Sequence, residues 1–214
     1  MCGRLAVDDN AGVSTQQPQD RKQVWNERYS AAERVWSSGP NEQVAQIVAP
    51  LAPGTAVDLG AGEGRHAIWL AERGWQVTAV DFAEVGLERG RREAAERSLH
   101  ERINWVPADV TTWTPPGGHR FDLVLVAYLH LPEDVLRDAA SWVAPGGRLV
   151  VVGHALRNLT DGVGGPQDPA LLNTPEQLRE KAAGLDILRC EEVERTTDSG
   201  GVAIDVVLVG RRAG

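Results

Sequence analysis

The chain has little of what marks several large protein classes. Its two cysteines, Cys2 and Cys190, are too few for a disulfide framework, and no CxxC pair or Cys/His cluster suggests zinc. No metal is expected, and the cysteine usage fits a reducing, cytoplasmic compartment. No apolar run approaches the length of a membrane span, and the N-terminus lacks the apolar core of a signal peptide, so no membrane partner is expected. Positive charge is also short. Lys and Arg number 22 against 30 Asp and Glu, a net charge of −8. A protein that grips nucleic acid by its backbone needs a basic face, so no nucleic-acid partner is expected and small molecules are the favoured substrates.

What is present is an ordinary globular composition, with 42% hydrophobic residues. Its 214 residues suit one domain with its own core. Residues 1–20 are polar and without periodicity, and are expected to form a disordered arm ahead of a single domain over 21–214. The opening Met-Cys-Gly-Arg matches the start of a family that uses Cys2 as a nucleophile, but nothing downstream continues the match.

Ordered structure is expected from near Val24, with a helix through Tyr29 and a second one capped by Asn41. From Thr55, short apolar runs alternate with longer amphipathic stretches. The strand candidates are Ala56–Leu59, Gln76–Val80, Ile103–Val106, Phe121–Ala127 and Arg148–Val152. Between them lie helix candidates Arg65–Arg73, Glu84–Leu99 and Glu133–Val143. Fully apolar strands of this kind suit a parallel sheet covered on both faces, and the alternation predicts a doubly wound α/β domain. A Gly- and Pro-rich loop over Asn158–Thr174 could form a lid. It is followed by a helix opening at Pro175 and an antiparallel hairpin of Asp186–Val193 and Val202–Val209.

The most informative segment is Val57-Asp58-Leu59-Gly60-Ala61-Gly62-Glu63-Gly64-Arg65, at the first strand-to-helix turn. Glycine there lets the backbone turn sharply and approach a ligand closely. The dinucleotide fingerprint GxGxxG would need glycine at position 65, which is Arg. Asp81 ends the second strand about twenty residues on, where a carboxylate can take both ribose hydroxyls. Asp109 follows the third strand, and Pro145-Gly146-Gly147 precedes the fifth.

Asp-x-Gly-x-Gly-x-Gly with these later residues resembles motif I and its companions in the class I S-adenosylmethionine-dependent methyltransferases. The resemblance covers roughly residues 24–212. It is nearest the small tellurite-resistance and thiopurine type, with Trp25, Arg28 and Tyr29 in a similar N-terminal helix and Gly64-Arg65 at the loop exit. It implies a Rossmann-like sheet, mostly parallel, in the order 3-2-1-4-5-7-6. It also implies S-adenosylmethionine as cofactor, a small-molecule methyl acceptor, and S-adenosylhomocysteine as product. Gly60, Ala61 and Gly62 would lie against the methionine part, and Asp58 would meet its ammonium. Asp81 would take the ribose, with Phe82 beside the adenine. Asp109 and the amide of Val110 would read the adenine edge. Ala127 would face the sulfonium, and Arg28 and Trp36 would close over the carboxylate.

Methyl transfer needs a general base only when the nucleophile must lose a proton. His130 and His154, each following a strand at the rim where ligands bind in open α/β sheets, are the candidates. Tyr29 and Tyr128 are placed to shape the acceptor pocket or simply to pack. Trp69, Trp75 and Trp142 are expected in the core, and one of Trp105 and Trp113 beside the adenine. Two alternatives stay open: a non-catalytic sensor or scaffold binding the same cofactor, and a nicotinamide-dependent oxidoreductase, which Arg65 disfavours.

Overall fold

The computed structural model describes residues 18–31, 39–131, 134–197 and 199–214. Of the arm expected over 1–20, residues 1–17 lie outside the described residues, while Pro18 already begins α1 (Pro18–Ala31). Among the described residues, seven strands form one sheet: β1 (Thr55–Leu59), β2 (Gln76–Asp81), β3 (Ile103–Pro107), β4 (Phe121–Ala127), β5 (Val143–His154), β6 (Asp186–Thr196) and β7 (Val202–Arg211). Their order is β3-β2-β1-β4-β5-β7-β6. The first five pair in parallel, and β7 runs antiparallel between β5 and β6.

Successive strand side chains point to opposite faces, so an unbroken apolar run feeds two cores at once. In β4, Leu123, Leu125 and Ala127 join one core, while Val124 and Val126 join the other. The first core is closed by α2 (Glu42–Val48), α3 (Arg65–Glu72) and α4 (Glu84–Glu96), through side chains such as Val44, Trp69 and Ala94. The second is closed by α5 (Leu136–Ser141) and α7 (Pro175–Lys181), through Leu136 and Leu178. Leu123 and Leu125 are wholly buried, and each contributes about 2 kcal/mol by its removal from water. Trp69 and Trp75 lie in the first core, and Trp142 packs against the second.

Local chemistry sets the helix ends. Asn41 caps α2 by accepting hydrogen bonds from the amides of Gln43 and Val44. Thr174 and Gln177 form a reciprocal capping box on α7, with Pro175 in its first turn.

Several boundaries differ from the sequence expectation. The helix expected over 133–143 is confined to α5, and Val143 is already strand. The Pro145-Gly146-Gly147 turn therefore lies within β5, in a bulge where pairing with β4 shifts between Phe121 and Leu123. The helix expected to reach Leu99 ends at Glu96. The 158–174 loop holds a short helix, α6 (Asn158–Asp161), and a single 3-10 turn at Pro169–Leu171. No helix among the described residues is long and apolar enough to cross a membrane.

Candidate functional site

A pocket with about 900 Å³ of empty space, its open mouth included, lies at the carboxyl ends of β1, β2 and β4. This is the position that the topology of an open α/β sheet reserves for a ligand. Its cover comes from α1, whose residues Arg21, Trp25 and Tyr29 recur every four positions and so share one helix face. Two contacts with the start of α4 anchor α1 there: Val85 donates its amide to Asn26 Oδ1 at 3.1 Å, and Lys22 pairs with Glu84 at 2.6 Å.

The glycine loop forms the floor. Gly60, Gly62 and Gly64 all have φ between 55° and 76°, the left-handed region that glycine occupies without strain. The amides of Gly60 and Ala61 both donate to Val80 O, tying the loop to the end of β2. A Cβ at Gly64 would come within 2.3 Å of Trp105 Cη2, and one at Gly90 in α4 within 2.5 Å of the same atom. Trp105 is thus wedged under the loop and against α4. It does not line the pocket, and neither does Trp113, which packs edge-on against Trp142 at 5.4 Å.

Asp58 and Asp81 are the acidic groups of this floor. Asp58 is buried, and its Oδ2 has no hydrogen-bond partner among the described residues. Desolvation pushes its carboxyl up to about 7, against the opposing pull of Arg65; the neighbouring Asp81 adds to the rise, and a bond from the Ala67 amide in the first turn of α3 offsets part of it. Asp81 lines the pocket and is held at both oxygens: Gly62 donates to Oδ2 at 2.8 Å and Ala83 to Oδ1 at 2.7 Å. Burial raises its carboxyl to about 6, moderated by those two amides. Each oxygen keeps a further lone pair for a ligand hydroxyl.

The other residues singled out in the sequence divide. Gly60, Ala61, Phe82, Val110, Ala127 and His130 line the pocket. Asp109 does not; its Oδ1 accepts from the amide and hydroxyl of Thr111, as a turn residue does. Arg28 also stays off the lining, with its guanidinium 4.9 Å over the Trp25 ring, and Arg21 takes the pocket-facing place. Trp36 lies outside the described residues.

A buried polar cluster lies beside the pocket. Tyr128, directly after β4, has φ 54°, unusual for a residue with a Cβ. Its hydroxyl donates to Asp205 Oδ2 at 2.6 Å and accepts from Asn41 Nδ2 at 2.9 Å. Arg195 Nε also donates to Asp205 Oδ2, at 2.7 Å, while the Asn41 amide donates to His66 Nε2. Burial and then Asp205 push the Tyr128 phenol well above its ordinary value, so it stays protonated. Sequence reasoning missed Asn41, Arg195 and Asp205 as site residues. The signal available was Asp205 itself, a single charge within the apolar run Val202–Val209.

His130 and His154 meet in the same region, with Nε2 of His130 and Nδ1 of His154 sharing a hydrogen bond of 3.2 Å. Burial, and then the neighbouring His154, hold His130 down at about 3, so it is neutral. Among the described residues no cluster of His, Cys, Asp and Glu could hold a metal ion.

Residues 56–147 match the family model of a methyltransferase domain. The chain is 28% identical over 163 residues to the methyltransferase GfsG of Streptomyces halstedii, which covers 69% of this chain and 58% of that protein. It spans about half the length of the curated relatives it matches. Among solved structures, TehB from Haemophilus influenzae superposes with a TM-score of 0.68 at 16% identity, over 88% of this chain and 67% of that one. The 1,6-didemethyltoxoflavin-N1-methyltransferase of Burkholderia thailandensis, with 1,6-didemethyltoxoflavin and S-adenosylhomocysteine bound, gives 0.67 at 22% identity, over 97% and 94%. At such identities the structures speak for the fold alone. The sheet order and the glycine loop at its switch point define a Rossmann-like α/β fold. Residues 56–147 resemble the methyltransferase domain family, and the chain shares the fold of solved S-adenosylmethionine-dependent methyltransferases.

Proposed function

We propose that this protein binds S-adenosylmethionine and transfers its methyl group to a small-molecule acceptor. The observation that carries this reading is the buried Asp58, whose Oδ2 has no hydrogen-bond partner among the described residues beneath a loop of left-handed glycines. A buried carboxylate is costly unless a charge or donor meets it. The ammonium of the methionine moiety has the chemistry to do so. The residues present therefore fit the cofactor: Gly60, Ala61 and Gly62 would hold the methionine part, Asp81 the ribose, and Phe82 and Val110 the adenine. Asp109 is assigned to the adenine amino group and Arg28 to the carboxylate end, although neither lines the pocket in this arrangement. When bound, the cofactor supplies an electrophilic methyl group.

The chain's own contribution is to align and desolvate the acceptor, an effect of proximity and orientation. Ala127 ends β4 with only a methyl group, which keeps that wall of the pocket thin. Trp25, Tyr29 and Tyr128 give the acceptor flat surfaces, and His130 is assigned as the base. The single-domain arrangement over residues 21–214 and a cytoplasmic location belong to the same reading.

The test is calorimetric titration with S-adenosylhomocysteine, with NAD as control and Asp81→Ala as a second sample. Micromolar binding of S-adenosylhomocysteine, absent for NAD and weakened at least tenfold in the variant, is the expected result. No binding by a folded sample, or a preference for NAD, overturns the proposal.

A further inference from the structure

His130 lines not only the main pocket but also a second, smaller cavity with about 520 Å³ of empty space. This chamber lies on the side of the second core, and His154, Asp134, Asn173 and Lys181 share its wall. His154 does not reach the main pocket, so the His130–His154 hydrogen bond bridges the boundary between the two spaces. His130 Nδ1 is buried, with no hydrogen-bond partner among the described residues. His130, which lines both spaces, thus has one ring nitrogen without a hydrogen-bond partner among the described residues and the other bonded to the imidazole of His154 on the wall of the second chamber.

We propose that His130 and His154 form a two-imidazole proton relay leading out of the acceptor pocket into this second chamber, and that the acceptor is accordingly a protic nucleophile, a hydroxyl or an N–H group. The inference rests on the methyl-transfer reading above. In that reaction the acceptor heteroatom forms a bond to the methyl carbon, and the carbon–sulfur bond breaks with its electron pair going to sulfur. The sulfonium charge is cancelled and reappears on the acceptor, which sheds it as a proton. His130 Nδ1 receives that proton, His130 passes its Nε2 proton to His154 Nδ1, and His154 releases one to the chamber. Both rings end neutral with their tautomers reversed, and rotation of each imidazole resets the relay before the next turnover.

The wiring requires one tautomer. His130 must carry its proton on Nε2, which donates to His154, leaving Nδ1 as a bare acceptor. Long-range ¹H–¹⁵N NMR of the histidine rings in the full chain reads this without any turnover. The Nε2–H tautomer at His130 is expected, and an Nδ1–H tautomer overturns the relay. The second arm is His154→Asn, whose Oδ1 can still accept the His130 bond but cannot carry a proton. With a panel of phenols and anilines as acceptors, kcat should fall at least tenfold while KM and S-adenosylhomocysteine affinity stay within twofold. A solvent isotope effect should also appear that the parent lacks. An unchanged kcat overturns the proposal. If no acceptor is turned over, the NMR arm decides alone. Failure of S-adenosylhomocysteine binding in the parent chain would instead count against the cofactor reading and leave the tautomer result standing.

Discussion

The floor of the pocket and the polar cluster beside it are built from the chain in opposite ways. The floor, proposed to hold the cofactor, comes from contiguous segments: the strand-to-helix turn 58–65, the end of β2 at Asp81 and Phe82, and the turn after β3. The cluster gathers Asn41, Tyr128, His130, His154, Arg195 and Asp205, drawn from both ends and the middle of the chain. A ligand held mainly by backbone turns leaves a local pattern of glycines and strand-end acids. A site held by side chains meeting across β4, β5, β6 and β7 leaves none.

The sharpest way to break this comparison is Gly64→Ala. Its Cβ would strike Trp105 at 2.3 Å, in a left-handed backbone conformation. A loss of about 3 kcal/mol is expected from overpacking and strain together, measured by urea unfolding, with S-adenosylhomocysteine binding lost as well. A variant of parental stability would mean that Trp105 does not support the loop. Next is Tyr128→Phe, which leaves Asp205 and Asn41 each short of a partner. It should cost about 2 kcal/mol in unfolding while leaving S-adenosylhomocysteine affinity within threefold. Equal damage to both would dissolve the distinction between the floor and the cluster.

Asp58→Asn should move binding and stability in opposite directions. Affinity for S-adenosylhomocysteine should fall about tenfold with the loss of a charge-assisted bond, while the melting temperature of the ligand-free chain rises. The pH dependence follows from the same group. Asp58 and Asp81 hold their protons more tightly folded (about 7 and about 6) than an ordinary aspartate does at 3.8. Their contribution to stability is therefore full below about pH 4 and lost as pH rises through 6 and 7. Melting temperatures of the ligand-free chain between pH 5 and 8 should fall more steeply for the parent than for Asp58→Asn. The smallest effect belongs to Arg97, which joins Glu72 of α3 and Glu93 of α4 on the surface. Arg97→Ala should change unfolding by less than about 1 kcal/mol and binding not at all.

The same contrast explains what the sequence made legible. Runs such as Leu123–Ala127 announced buried parallel strands, and the lone Gly-Pro-rich segments marked the turns. Alternation alone does not give strand order; the order 3-2-1-4-5-7-6 followed from the family resemblance. The limits of α5 and β5 were missed because Trp142 and Val143 suit either a helix end or a strand, and pairing with Phe121 decides it. At the site, Asp58 and Asp81 stood out as charges in apolar strands. That Arg21 lines the pocket wall did not, because it lies with Arg28 on one polar helix and only its packing against α4 selects the face.

The placement of β7 bears on how the protein comes off the ribosome. Residues 202–211 are synthesised after every other strand, yet they insert between β5 and β6. Until they emerge, β5 presents an open edge and β6 has no place in the sheet. Asp205 arrives with the same segment, so the Tyr128 hydroxyl gains its acceptor only at that moment. Vectorial synthesis thus leaves a nascent chain whose glycine-loop floor can form early while the Tyr128–Asp205 cluster waits for β7.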